Sequence, residues 1–222
     1  MTLRSVILAS VTLAFALPAL ALDQGAIMND VAELQHEWAR IKYAVGDEKQ
    51  QQSAMLALAD KAKVVAQRYP GAPEPLIWDG IIVSSAAGLT GGLEGLGLVK
   101  EARALLEEAE KIDPKALDGS AKTSLGSLYY QVPGFPLGFG NNKTARKYLE
   151  SALDINPAGI DANFFYGDFL FRQGEYQKAD EVLSRALAAP DRPGREDADA
   201  GRRGEIKDLL AQIAKKRGKG NA

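Results

Sequence analysis

For chemistry, this chain offers one histidine, no cysteine and two copies of a glycine–lysine string. His36 stands beside Glu37, with Glu33 three residues earlier, a grouping that acid–base work would need. No third group orients it, so it reads as a surface histidine on a helix. With no second histidine, a relay elsewhere and a multi-histidine metal site are excluded, and the lack of cysteine removes disulfides, cysteine-bound zinc and a thiol nucleophile. The string G-x-G-x-x-K-x-A-R occurs from Gly95 to Arg103 and again from Gly138 to Arg146. Glycines let backbone N–H groups approach an anion, and a lysine at a helix start would favour one. A nucleotide-binding glycine loop follows a strand, however, and both copies here follow a helical pattern. The first copy also has Glu101 after its lysine where a hydroxyl would be needed. Glu107, Glu108 and Glu110 have no partner motif and read as a solvated helix face. No catalytic set, metal site or cofactor emerges, and the chain is read as non-enzymatic.

The elements that carry these residues follow one repeated pattern. Ala102, Leu106, Ala109 and Pro114 are followed by Ala145, Leu149, Ala152 and Pro157, then by Ala179, Leu183, Ala186 and Pro190. Small, large and small residues at steps of four and three share one helix face. The prolines end each helix, helped by Asp113 and Asn156. The second and third copies are 34 residues apart. Before the last copy, a helix bearing Tyr166, Gly167 and Leu170 is turned by Gly174 into the helix of Ala179, Leu183 and Ala186. Gly167 and Ala179 are the small positions where paired helices meet.

These residues resemble the tetratricopeptide-repeat family, whose repeat has this period. The signature tryptophan is replaced by Asn163, and Pro190 comes one residue early. The resemblance implies an all-α fold of about eight or more helices, stacked as antiparallel pairs in a short solenoid. It also implies a concave binding surface. By the family's register that surface takes Phe164, Phe171, Asp161, Asp168 and Arg172, with Ser127, Tyr130 and Gln131 one repeat earlier. Phe165 and Phe169 fall on the core side.

In the two earlier copies the first and second helices of the pair are further apart. Gly126 and Ala145 are separated by 19 positions and Gly80 and Ala102 by 22, against 12 for Gly167 and Ala179. The extra residues, Gly88 to Gly97 and Pro133 to Gly140, are glycine-rich and apolar, so two long inter-helix loops are expected. Leu93, Leu96, Phe135, Leu137 and Phe139 are too many apolar side chains to leave in water without a partner surface. Phe135 and Phe139 therefore join the candidate binding residues.

Arg4, the apolar run Val6 to Leu17 and Ala19-Leu20-Ala21 have the form of a cleaved export signal. Residues 1–21 are read as that signal, and the mature chain is expected in the periplasm or outside the cell. Residues 22–70 read as a helical hairpin, a degenerate repeat or cap. Residues 71–190 hold the repeats, and 191–222 an arginine-rich loop to about Gly201, a capping helix bearing Ile206, Leu209, Leu210 and Ile213, and a basic tail. A net charge of −2 argues against non-specific nucleic-acid binding.

The signal, the repeats and the segment from Leu128-Tyr129-Tyr130 to Pro136-Leu137-Gly138-Phe139-Gly140 are together similar to the periplasmic T-component proteins associated with tripartite ATP-independent (TRAP) transporters. That resemblance implies a small hydrophobic ligand or a solute-binding partner, and no catalytic residue. Two readings stand: an adaptor with an open polar groove for a partner protein or peptide, possible partners including a transporter component, and a ligand protein with a closed apolar cavity.

Overall fold

The computed structural model describes residues 23–220, which form nine helices and no strand. The expected signal and its cleavage site lie outside the described residues. The helices are α1 (Gln24–Ala44), α2 (Glu48–Arg68), α3 (Pro73–Thr90), α4 (Gly92–Ile112), α5 (Ala116–Gln131), α6 (Asn142–Ile155), α7 (Ile160–Arg172), α8 (Tyr176–Leu187) and α9 (Glu196–Gly220). Consecutive pairs α1/α2, α3/α4, α5/α6 and α7/α8 pack together. Caps fix several starts. The side chains of Asp23, Asp47 and Asn141 each accept a backbone N–H in the first turn of α1, α2 and α6. Pro73 opens α3, where its missing N–H costs nothing.

The three Ala-Leu-Ala triads are fully buried on the second helix of each pair. Each central leucine lies against a glycine of the first helix. A Cβ placed on Gly80 would sit 2.7 Å from Leu106 Cγ, on Gly126 2.6 Å from Leu149 Cγ, and on Gly167 2.5 Å from Leu183 Cγ. The repeat is thus a glycine–leucine contact made three times, and the close approach is what lets each pair bury its seam. Asn163, in the place of the signature tryptophan, is fully buried and satisfied. Its Nδ2 donates to the carbonyls of Pro157 at 2.8 Å and Gly159 at 2.9 Å, tying down the turn that enters α7.

The first helices of the pairs form an inner layer. α1 touches α3, α3 touches α5, α5 touches α7 and α7 touches α9, while α2, α4, α6 and α8 lie outside. The layer does not stay open, because α9 returns to α1. Gly201 makes the return possible: a Cβ there would lie 2.5 Å from the Tyr43 ring. The solenoid is therefore a closed ring of five inner helices.

Two expectations need correction. Gly88 to Gly97 is not a loop. α3 continues to Thr90 and α4 begins at Gly92, so the extra residues lengthen both helices. Gly91 and Gly92, at φ 65° and 58°, make the whole turn. Leucine and glutamate favour helix, and packing between α3 and α4 overrides the glycines. Gly91→Ala, innocuous if Gly91 sat in a loose loop, is now expected to destabilise. At φ 65° and ψ −172° Gly91 occupies a region nearly closed to other residues, and alanine there costs about 1–3 kcal/mol. Gly97→Ala, on the exposed side of α4, is expected to stabilise by about 0.5–1 kcal/mol. Thermal melts of the two variants should shift in opposite directions. The second correction is that α9 starts at Glu196, inside the stretch to about Gly201 expected as a loop. Glu196, Asp197 and Asp199 suit a helix start, and Asp199 accepts the backbone N–H of Arg192 at 2.8 Å.

Candidate functional site

The ring surrounds a cavity of about 530 Å³ that is partly open to solvent. Each inner helix presents one face to it, at helical spacing: Gln35, Trp38 and Lys42 from α1, Trp78, Ile81 and Ser85 from α3, and Ser120, Thr123, Ser124, Ser127 and Gln131 from α5. α7 adds Asp161 and Phe165. The segment after α8 adds Arg192 and Arg195, and α9 adds Arg202. The short hydroxyl side chains of α5 leave the space open. Several are held by their own helix, as Ser120 and Ser127 are by the carbonyls of Leu117 and Ser124.

One side of the cavity is aromatic. Trp38 and Trp78 meet edge to face with ring centroids 5.8 Å apart, and Trp38 Nε1 donates to Ser85 Oγ at 2.9 Å. At the start of α5, Leu117, Asp118 and Gly119 take left-handed backbone, with φ of 46°, 56° and 76°. Two of these are not glycine, and such strain concentrates at functional surfaces. Leu117 and Asp118 both line the cavity.

The other side is ionic. Asp161 accepts from Arg192 Nη1 at 2.7 Å and from Arg202 Nε at 2.8 Å. Arg192 also donates to Asp199, Arg202 pairs with Glu205, and Glu205 reaches Lys42 at 3.0 Å and the Tyr43 hydroxyl at 3.3 Å. The chain of charges joins α7, the 191–195 segment, α9 and α1, so it closes the ring where Gly201 meets Tyr43. Burial alone would push the Asp161 carboxyl up, but the Arg202 and Arg192 guanidiniums outweigh it and hold the group well below the usual carboxylate range. Burial, followed by the nearby Arg202, lowers the Lys42 ammonium. Arg202 also lies over the rings of Phe164 and Phe165, 4.2 and 4.9 Å from their centroids.

Among the residues expected to bind, Ser127 and Gln131 line the cavity, as does Asp161. Tyr130, Gln131, Asp168 and Arg172 are brought together beside it, between α5 and α7. The Tyr130 hydroxyl donates to Asp168 at 2.7 Å, Gln131 donates to Tyr130 at 3.2 Å, and Arg172 donates to Asp168 at 3.0 Å. Burial, then the Asp168 charge, raises the Tyr130 phenol well above its ordinary value. Phe164 is half-buried under Arg202, and Phe171 packs on Tyr176. Phe139 packs on Tyr129, with the Arg103 guanidinium 4.5 Å from its ring centroid. Phe135 is 95% exposed, and with Leu137 and Leu93 it stands outside the cavity. Trp38, Trp78, Lys42 and the three arginines were not anticipated, and Phe165 was expected in the core. The arginine-rich composition after Pro190 was the one available signal.

Residues 137–194 match the sequence profile of the tetratricopeptide repeat. That segment carries the tetratricopeptide-repeat pattern. The fold extends the match well past that segment. The structure is similar to that of a thermophilic tetratricopeptide-repeat protein of Thermus thermophilus, with a TM-score of 0.59 at 22% identity. The similarity covers 86% of this chain and 83% of that one. No curated protein matches the sequence.

Proposed function

We propose that this tetratricopeptide-repeat chain is an exported, non-enzymatic binding protein that holds a small ligand inside its closed ring. The observation that carries this reading is the return of α9 to α1 around the cavity. An adaptor for an extended partner needs an open groove, whereas a cavity of about 530 Å³ has the size of small-molecule sites, roughly 300–1,000 Å³. The aromatic wall supplies the apolar contact that such sites use. The resemblance to the transporter-associated T-component proteins supports the same class of ligand and a periplasmic setting. Among the described residues, no helix is long and apolar enough to cross a membrane.

A second surface favours a protein partner as well. Leu93, in the first turn of α4, and Phe135 and Leu137, between α5 and α6, are 87%, 95% and 67% exposed. A transporter component is the partner class that the resemblance implies there.

Native mass spectrometry of protein purified from its own host tests the reading. The expected spectrum shows a small-molecule adduct that denaturation removes. An adduct-free chain that copurifies with a stoichiometric protein partner would favour the open adaptor. The same spectrum reads the mature mass, which is expected to begin at Leu22. A mass that retains Met1 would remove the export claim.

A further inference from the structure

Arg195 stands apart from the other cations of the cavity. Arg192 is matched by Asp161 and Asp199, Arg202 by Asp161 and Glu205, and Lys42 by Glu205. These three cations are paired with three carboxylates, Asp161, Asp199 and Glu205. The charge left over is on Arg195, which forms no ion pair with any described residue. Its Nε is buried and has no hydrogen-bond partner. The side chain is half-buried, and a buried donor without a partner is costly. Its plane lies over Trp78, 4.9 Å from the ring centroid, so the charge borders the aromatic wall. Burial, then the neighbouring Arg192, lowers the Arg195 pKa. Asp118, on the α5 wall, is exposed and makes no ion pair.

We propose that the ring interior selects guests with one anionic group on an apolar body, the anion pairing with Arg195 and the body lying against Trp38 and Trp78. The proposal rests on the reading of the ring as a ligand site and names the chemistry of the ligand. A carboxylate is the simplest such anion, because guanidinium offers it two parallel N–H donors. Phe165, Ile81 and Leu89 extend the apolar surface beyond the tryptophans. A neutral guest of the same shape would leave the Arg195 guanidinium without an ion pair, and a cationic guest would be repelled by it.

The chain has only two tryptophans, and both line the cavity, so their fluorescence reports occupancy. Octanoate, 1-octanol and octylamine are titrated into the intact protein. Octanoate is expected to bind at least about tenfold more tightly than octanol, and octylamine most weakly, as a charge-assisted hydrogen bond requires. Arg195→Gln should cost octanoate about tenfold and leave octanol unchanged, and Arg195→Lys should restore part of the loss. Equal binding of octanoate and octanol by the unaltered protein overturns the proposal while leaving the ring as a ligand site, and this comparison does not depend on any variant folding. Unchanged octanoate binding by folded Arg195→Gln overturns it too. No response to any of the three probes overturns the ligand reading itself, and the proposal with it.

Discussion

Arg202→Met is expected to lower the stability of the protein by about 3–5 kcal/mol, the usual cost of removing one partner from a buried charge pair. Arg202 is 4% exposed and pairs with both Asp161 and Glu205. Methionine fills much of the same volume, so the loss is not a cavity effect. It leaves Asp161 with Arg192 alone and Glu205 with Lys42, across the seam that closes the ring. Arg217→Met serves as the contrast. Its pair with Asp180 is solvent-exposed on both sides and should be worth less than about 1 kcal/mol. Urea unfolding of both variants checks the difference. Equal midpoints would mean that the buried network contributes no more than a surface pair.

The same network sets an acid limit. The folded Asp161 carboxyl titrates well below its unfolded value of about 4. A depressed carboxyl contributes stability that is present above the unfolded value and lost as pH falls through the folded one. Stability should therefore drop below about pH 4, and less steeply in Arg202→Met. Asp79 has the opposite sign. Burial, then Glu101, raises its carboxyl to about 7, so its contribution is full below about pH 4 and is lost as pH rises through 7.

Gly167→Leu and Gly126→Leu are each expected to destabilise by about 1–3 kcal/mol through overpacking. In each case the first added carbon already falls within 2.6 Å of a buried leucine, and three more follow it. The leucine is fully buried, so it has no open space into which to retreat. Ala179→Leu strains the same α7–α8 seam from the other side. Gly46→Leu, where nothing lies within 4 Å, is the control. Melting temperatures that match the control would remove the glycine–leucine contact as the basis of the repeat.

The parts of the fold legible in the sequence were those set by local periodicity. Ala102, Leu106 and Ala109 and their two copies announce a buried face because three side chains on one helix carry the signal. Gly167 was legible for the same reason. Ring closure was not. It depends on small rotations between successive pairs that add up until α9 meets α1, and no single repeat encodes the sum. The cavity shares that origin: Trp38, Ser127, Asp161 and Arg195 come from separate elements and converge only after closure. Trp38 fits a core pattern and is in fact mostly buried, with one edge on the cavity. Gly88 to Gly97 misled because glycine composition looks like a loop, while the contact between α3 and α4 holds it helical.

Closure of the ring is the claim on which the cavity and its guest depend. Because the chain has no cysteine, the double variant Tyr43→Cys/Gly201→Cys places a single thiol on each side of the seam. The Gly201 Cβ direction points at the Tyr43 ring, within 2.5 Å, so the two sulfurs should meet. Mild oxidation of the monomer is expected to form an intramolecular disulfide nearly completely while the helical circular-dichroism signal is retained. Two free thiols in a folded monomer would contradict the closed ring and return the repeats to an open groove.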